Sequence, residues 1–269
     1  MIDCSLIISF YNQIDYLKLV LAGLERQTFR NFEIILADDG SNQNVVRGIE
    51  LLTKQISFPF VHIWQEDKGF RKNRILNSAI RTSSADYLIF IDGDCIPHCK
   101  FMEEHFANRS IGSCLTGRRV NLSQKITEKL TSQAVQEGKL EKKMFSLIID
   151  GMIGKSIDVE KGFYFKNKFL RKYFNIKKRG LLGCNFSIHK KDIERINGFD
   201  ERYEAPSIGE DSDIQFRLEL LRIKIKSLNN IAIQYHLFHT LQKRDEKNLS
   251  LFAEVRKLAE PFTKFGLQR

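Results

Sequence analysis

The sequence predicts an α/β fold, a mostly parallel sheet with helices on both faces. Three observations predict it. Apolar runs of strand length alternate with stretches of helical period through the N-terminal part of the chain. Successive runs end in polar groups, at Ser9-Phe10-Tyr11, Asp38-Asp39 and Asp92-Gly93-Asp94. The length of 269 residues, 42% hydrophobic and 28% charged, suits one large domain or two small ones with a sizeable core. Ligands of open α/β sheets bind beyond the carboxyl ends of the strands, so the three polar strand ends are expected to share one crevice.

The elements follow in order. CSLIISFY reads as a buried strand. Asn12 is placed to cap a helix whose apolar positions Leu17, Val20, Leu21 and Leu24 follow helical spacing. NFEIILADDGS is a strand ending in a turn, residues 44–55 a helix, and FPFVHIW a third strand with Pro59 at its start. Residues 71–82 form a helix on Ile75, Leu76, Ala79 and Ile80, and ADYLIFIDGD is a fourth strand. SCLTGRRVNL reads as one further strand, 124–147 as mainly helical, and LLGCNFSIH as a strand. KKDIERIN is a short helix ending at Gly198, GEDSDIQFRLELLR a helix with acids at its N-terminus, and KIKSLNNIAIQYH a returning strand. Helix resumes from Lys243 to about Thr263, apart from Pro261.

Composition narrows the setting. The five cysteines are scattered and form no CxxC pair, which argues against a disulfide framework and for a reducing compartment. A strand pattern begins at Ile2, so no signal peptide is expected, and no apolar run approaches a membrane span. A cytoplasmic protein is the expectation. Net charge is +10, and Lys161–Gly180 holds eight Lys or Arg and no acid, interleaved with Phe163, Tyr164, Phe165, Phe169, Tyr173 and Phe174. That stretch suits an anionic membrane surface or a phosphorylated acceptor, placing the protein at the inner face of the membrane. No nucleic-acid motif accompanies it, so no nucleic-acid partner is expected. The absence of GxGxxG and Walker patterns argues against dinucleotide enzymes and P-loop NTPases. A nucleotidyltransferase would carry a Gly-rich, basic loop where this chain has FYNQIDY.

Several acidic clusters could carry chemistry. Asp92 and Asp94, spaced i and i+2, can face one site, with Gly93 permitting close approach of a ligand. Such a pair suits Mg2+ or Mn2+ bound with phosphate oxygens, though DGD is also a common turn. Asp38-Asp39-Gly40-Ser41 is either a turn or a nucleoside contact. Glu210-Asp211-Ser212-Asp213 is either an acidic first helical turn or the source of a general base. His236 and His239, two of six His, follow an apolar strand and are candidate metal ligands. Arg71 and Arg74 are helix surface or diphosphate contacts. Cys95, His98 and Cys99 suggest zinc, but Pro97 interrupts the backbone and a fourth ligand is not evident, so local structure is expected.

In this order, the elements resemble family 2 glycosyltransferases of the GT-A fold. SLIISFYNQIDYLKLVLAGLERQTFRNFEIILADDGS is similar to the family's nucleotide-binding start, and IDGDC matches its D-x-D motif. GCNFSIHKKDIERINGFDERY, IGEDSDIQFRL and HLFHTLQKRDEKN resemble the acceptor-side segments of chondroitin polymerases and β1,4-galactosyltransferases. The resemblance spans about residues 1–245. It implies a catalytic unit over 1–242, with a nucleotide-binding half (1–95) and an acceptor-side half (96–242), then a helical extension (243–269). It implies that Ser9, Tyr11 and Asp39 hold the nucleoside with Asp38 close by, and that Arg71 lies near base or phosphates. Asp92 would contact ribose or donor sugar. Asp94 would ligate Mn2+ or Mg2+ with His236 as first choice of second ligand and His239 as its rival. Asp211 would be the general base and Glu210 would orient the acceptor hydroxyl. The implied activity is inverting transfer of a sugar from a nucleotide sugar, a UDP-hexose or UDP-N-acetylhexosamine, to a glycan or lipid-linked glycan. An idle nucleotide-sugar-binding subunit of a polysaccharide assembly is the alternative. Where related sequences often carry a Trp-Gly-Gly type stretch, this one reads EAPSIGED, which leaves the sugar open.

Overall fold

The computed structural model describes residues 1–206, 210–240 and 246–268. Strands β1 (Cys4–Phe10), β2 (Phe32–Asp38), β3 (Phe60–Trp64) and β4 (Tyr87–Asp92) alternate with helices α1 (Ile14–Leu24), α2 (Gln43–Thr53) and α3 (Lys72–Thr82), as the periodicities predict. There follow β5 (Cys95–Pro97), α4 (Phe101–Ala107), β6 (Ser113–Thr116) and β7 (Arg118–Asn121). Short helices α5 (Gln124–Lys129), α6 (Ser132–Gln136), α7 (Lys139–Lys142), α8 (Met144–Met152) and α9 (Lys168–Phe174) occupy the middle of the chain. The remainder is β8 (Asn185–His189), α10 (Lys190–Glu194), α11 (Glu210–Leu220), β9 (Lys224–Ser227), β10 (Ile233–His236) and α12 (Glu246–Leu258).

The main sheet has seven strands in the order β3-β2-β1-β4-β8-β6-β9. β1, β2, β3 and β4 run parallel, and β8 is antiparallel to both its neighbours. The chain leaves β1 towards β2 and β3, then returns to lay β4 on the other side of β1. That reversal opens a crevice at the carboxyl ends of β1 and β4, where a ligand can enter. Register puts Ser9 beside Asp92 and Phe10 beside Asp38.

Alternation along the strands feeds two cores. Leu6, Ile8, Ile34, Leu36, Ile89 and Ile91 pack with Leu17, Val20, Leu21 and Leu24 of α1 on one face. Ile7, Ile35, Leu88 and Phe90 pack with Ile75, Leu76, Ala79 and Ile80 of α3 and Ile214 and Leu218 of α11 on the other. The central strands are therefore apolar on both faces, which is why they read as continuous runs. Each such buried aliphatic side chain contributes about 1.5–3 kcal/mol.

Four local expectations are corrected. Asn12 does not cap α1, whose N-cap is Gln13; Asn12 adopts φ 56° and its Oδ1 accepts from the Asn42 amide at 3.0 Å, bracing the start of α2. SCLTGRRVNL is two strands in different sheets. A Cβ on Gly117 would lie 2.3 Å from both the Ala232 carbonyl and Asn185 Oδ1, so only glycine fits where the chain changes sheet. KIKSLNNIAIQYH likewise divides into β9 and β10, in different sheets. Pro97 does not break the backbone: Cys95–Pro97 is itself a strand, antiparallel to β10 in a three-stranded sheet ordered β5-β10-β7. The helix expected from Lys243 is described from Glu246 to Leu258, residues 241–245 lying outside the described residues. Ser207–Gly209 of the EAPSIGED stretch also lie outside them, as does the Glu210 side chain.

Candidate active site

A cleft of about 370 Å³ opens at the ends of β1, β2 and β4, lined by Ser9, Tyr11, Asp39, Lys72, Asp92 and Asp94 with Phe10, Ala37, Phe70 and Ile75 as apolar wall. Its size suits a small ligand. Asp39 is fixed from two sides: Gln65 Nε2 donates to Oδ1 at 2.5 Å and the Arg71 amide to Oδ2 at 2.8 Å. Burial raises its pKa against those bonds, so a polar partner inside the cleft would stabilise its charge. Tyr11 is half exposed at the rim, its hydroxyl donating to Asp67 at 3.0 Å. Ser9 Oγ donates to Asp92 Oδ1 at 2.5 Å, and Lys72 Nζ reaches the same oxygen at 2.9 Å.

Asp38 and Arg71 do not line this cleft. Asp38 is fully buried and serves the turn, accepting from the Ser41 amide at 2.8 Å and meeting His62 Nε2 at 3.0 Å. The Arg71 guanidinium folds back onto the Glu66 carbonyl, and it is the Arg71 backbone that touches the site. Lys72, one residue on, places a cation in the cleft. Its sequence context is an ordinary basic helix start, and only the turn of α3 distinguishes the two.

The second sheet completes the site. β10 pairs His236 opposite Cys95, and the Leu237 amide donates to the Asp94 carbonyl at 2.9 Å. His236 Nε2 and His239 Nε2 then stand 3.5 and 3.3 Å from Asp94 Oδ2, and 3.1 Å from each other. Both imidazoles are thus brought to Asp94. His239 Nδ1 donates to the Thr240 carbonyl at 3.1 Å, which leaves Nε2 turned to the site. Burial raises the Asp94 pKa, but hydrogen bonds from His236 and His239 outweigh it and hold the carboxyl well below the usual range. Two ring nitrogens facing one another across 3.1 Å need a proton or a cation between them. Two imidazoles and one carboxylate fit a divalent cation.

Cys95 is closer to this chemistry than local structure would require, since Cys95 Sγ donates to Asp94 Oδ1 at 3.3 Å. Burial pushes that thiol up, so it stays a protonated donor. His98 and Cys99 gather with Glu141, but Glu141 already binds Arg26 through both oxygens at 2.8 and 2.7 Å. Arg119 was not legible in sequence as a site residue. It donates to Cys184 Sγ at 3.2 Å; burial lowers its pKa, but the Cys184 sulfur and the Asp92 and Asp94 carboxylates outweigh that and keep it charged.

The acidic motif at α11 divides by role. Asp211 lies outside this cleft; its Oδ2 accepts from the Gly183 amide at 3.4 Å, just before β8. Asp213 is structural: buried, it pairs with Arg217, whose guanidinium also donates to the Ile196 and Gly198 carbonyls at 2.6 and 2.9 Å.

The sequence matches the model of Glycosyl transferase family 2 over residues 5–174 and that of the N-terminal domain of galactosyltransferase over residues 165–240. A chondroitin synthase of Escherichia coli is 24% identical over 241 residues, 86% of this chain and 34% of that protein. A chondroitin synthase of Pasteurella multocida is 31% identical over 97 residues, 36% of this chain and 10% of that protein. The chain therefore spans about a third or less of the length of these curated relatives. GalNAc-T7, solved with UDP, GalNAc and Mn2+, has TM-score 0.66 at 14% identity, covering 95% of this chain and 48% of that one. Mannosyltransferase PcManGT from Pyrobaculum calidifontis, in complex with GDP-Man and Mn2+, has TM-score 0.58 at 11% identity, covering 88% and 57%. At these identities the structures speak to the fold.

Proposed function

We propose, for a chain that belongs to glycosyl transferase family 2 and carries the GT-A fold, an inverting, divalent-metal-dependent transfer of a sugar from a UDP-hexose or UDP-N-acetylhexosamine to a hydroxyl of a glycan or lipid-linked glycan. The observation that carries it is the meeting of Asp94, His236 and His239 at the edge of a cleft whose other carboxylates are Asp39 and Asp92. Asp39 and Tyr11 are assigned to the nucleoside and Asp92, with Ser9 and Lys72 holding it, to ribose or donor sugar. Asp94, His236 and His239 would hold Mn2+, which when bound offsets the negative charge that grows on the departing diphosphate. Asp211 takes the proton of the acceptor hydroxyl as that oxygen attacks the anomeric carbon opposite the leaving group. One displacement inverts the centre. Glu210 is assigned to orienting the hydroxyl by its place in the motif alone.

The same reading extends to location. α9 has no buried residue and exposes Phe169 and Tyr173 beside Lys168 and Lys172, with Lys177 and Lys178 following. Apolar and cationic groups together support attachment to the anionic inner face of a membrane, in the cytoplasm. Among the described residues no helix is long and apolar enough to cross a membrane.

Incubation with UDP-sugars and Mn2+ tests the assignment. Slow release of UDP, accelerated by a glycan acceptor, is expected. Binding of UDP-sugar without any turnover would instead assign the chain as an idle subunit.

A further inference from the structure

β7 delivers two arginines to opposite sides. Arg119 turns to the Asp92 and Asp94 floor, as described, while Arg118 turns towards Gly180. Arg118 is held by neutral oxygens: it donates to the Gly117 and Gly180 carbonyls at 2.8 Å each and to Thr116 Oγ1 at 3.2 Å. Arg179 immediately precedes Gly180, whose carbonyl Arg118 binds. Burial and the Arg179 charge together push the Arg118 pKa down to about 10. Arg179 Nε is buried and has no hydrogen-bond partner. Among the described residues no carboxylate pairs with either guanidinium, and Asp158, the carboxylate whose charge acts on Arg118, is engaged by Lys161 at 2.5 Å. Two half-buried cations held together without an anion are costly, and an incoming anion repays that cost.

Their location gives the pair a use. Gly180 touches Arg118, the Leu181 amide donates to Gln215 of α11 at 2.7 Å, and the Gly183 amide donates to Asp211 at 3.4 Å. The backbone from Gly180 to Gly183 can reach at most about 11 Å, so its two ends lie within the length of a short glycan. Guanidinium groups bind planar or tetrahedral oxyanions through paired N–H donors. We propose that Arg118 and Arg179 form an oxyanion subsite for the acceptor, taking a carboxylate or phosphate carried by the glycan near the hydroxyl presented to Asp211. The subsite rests on the transferase reading for its purpose, but its binding chemistry is separately measurable.

The test is isothermal titration of the full chain, saturated with UDP and Mn2+ so that the donor cleft is filled. The probes are glucuronate, methyl phosphate and, as a neutral control, N-acetylglucosamine. Saturable binding of glucuronate or of methyl phosphate is expected, weakened at least ten-fold in Arg118→Gln and in Arg179→Gln, with UDP affinity within two-fold of the parent. Arg179→Gln matters because Arg118 also ties down the Gly180 carbonyl. Preference for glucuronate assigns a uronate acceptor, and preference for methyl phosphate a phosphorylated one. The proposal is overturned if neither anion binds, if binding survives both substitutions, or if Lys177→Gln with Lys178→Gln weakens it equally. Failure of UDP to bind would count against the donor reading instead, and the anion titration without UDP would still decide the subsite.

Discussion

His236 stands opposite Cys95 in the pairing of β10 with β5, and that register carries its imidazole to 3.5 Å from Asp94. A strand from the far end of the sequence thereby completes a site begun at the end of β4. A slip of one residue would turn His236 to the other face of the small sheet.

Asp211 is the assigned base. Asp211→Asn is expected to lower kcat by about 100-fold or more. Affinity for UDP with Mn2+ should stay within two-fold, since Asp211 does not line the cleft to which the nucleotide is assigned. Steady-state kinetics beside a UDP titration checks both halves; near-normal turnover would remove Asp211 from the mechanism.

Lys72 pairs with Asp92 at 2.9 Å, both side chains being largely buried. Lys72→Met is expected to weaken donor affinity by about ten-fold, the loss of one charged hydrogen bond. The contrasting variant Arg74→Met should leave it unchanged. Donor KM in the two variants distinguishes them.

Asp213 and Arg217 form a pair in which each side chain is 1% exposed. Asp213→Ala leaves a buried guanidinium uncompensated and is expected to cost about 3–5 kcal/mol, read by urea denaturation. A loss under 1 kcal/mol would contradict the structural role given to this member of the acidic motif.

Stability should also depend on pH through His105. It is fully buried, its ring nitrogens meeting Ser187 Oγ at 2.7 Å and Asn185 Oδ1 at 3.0 Å. Burial pushes its pKa from 6.5 down to about 4. Between those values the unfolded chain binds the extra proton, so stability is full above pH 6.5 and falls as pH drops towards 4. The fall from this group is about 3 kcal/mol. His105→Gln should flatten it, as measured by denaturation at pH 7 and pH 4.5.

Much of the fold was legible because the period of the apolar residues reports it directly. Leu17, Val20, Leu21 and Leu24 are all buried as their spacing requires, and β1, β2 and β4 are continuous apolar runs because both faces are covered. The small sheet was not legible. β5, β7 and β10 are three or four residues long, and pairing across the chain, not local propensity, makes them strands. The same holds at the site. Asp39, Asp92 and Asp94 end apolar strands, which marks them. Lys72, Arg118 and Arg119 sit in basic contexts that read as surface, and only side-chain reach separates them from Arg71 and Arg74.

The central claim is that Asp94, His236 and His239 hold the cation. It is tested most directly by following free Mn2+ by electron paramagnetic resonance as the protein is titrated with UDP present. The account predicts one tightly bound Mn2+ per chain, lost in Asp94→Ala and weakened at least ten-fold in His236→Ala and in His239→Ala. Unchanged Mn2+ binding in Asp94→Ala, with UDP still bound, would contradict it.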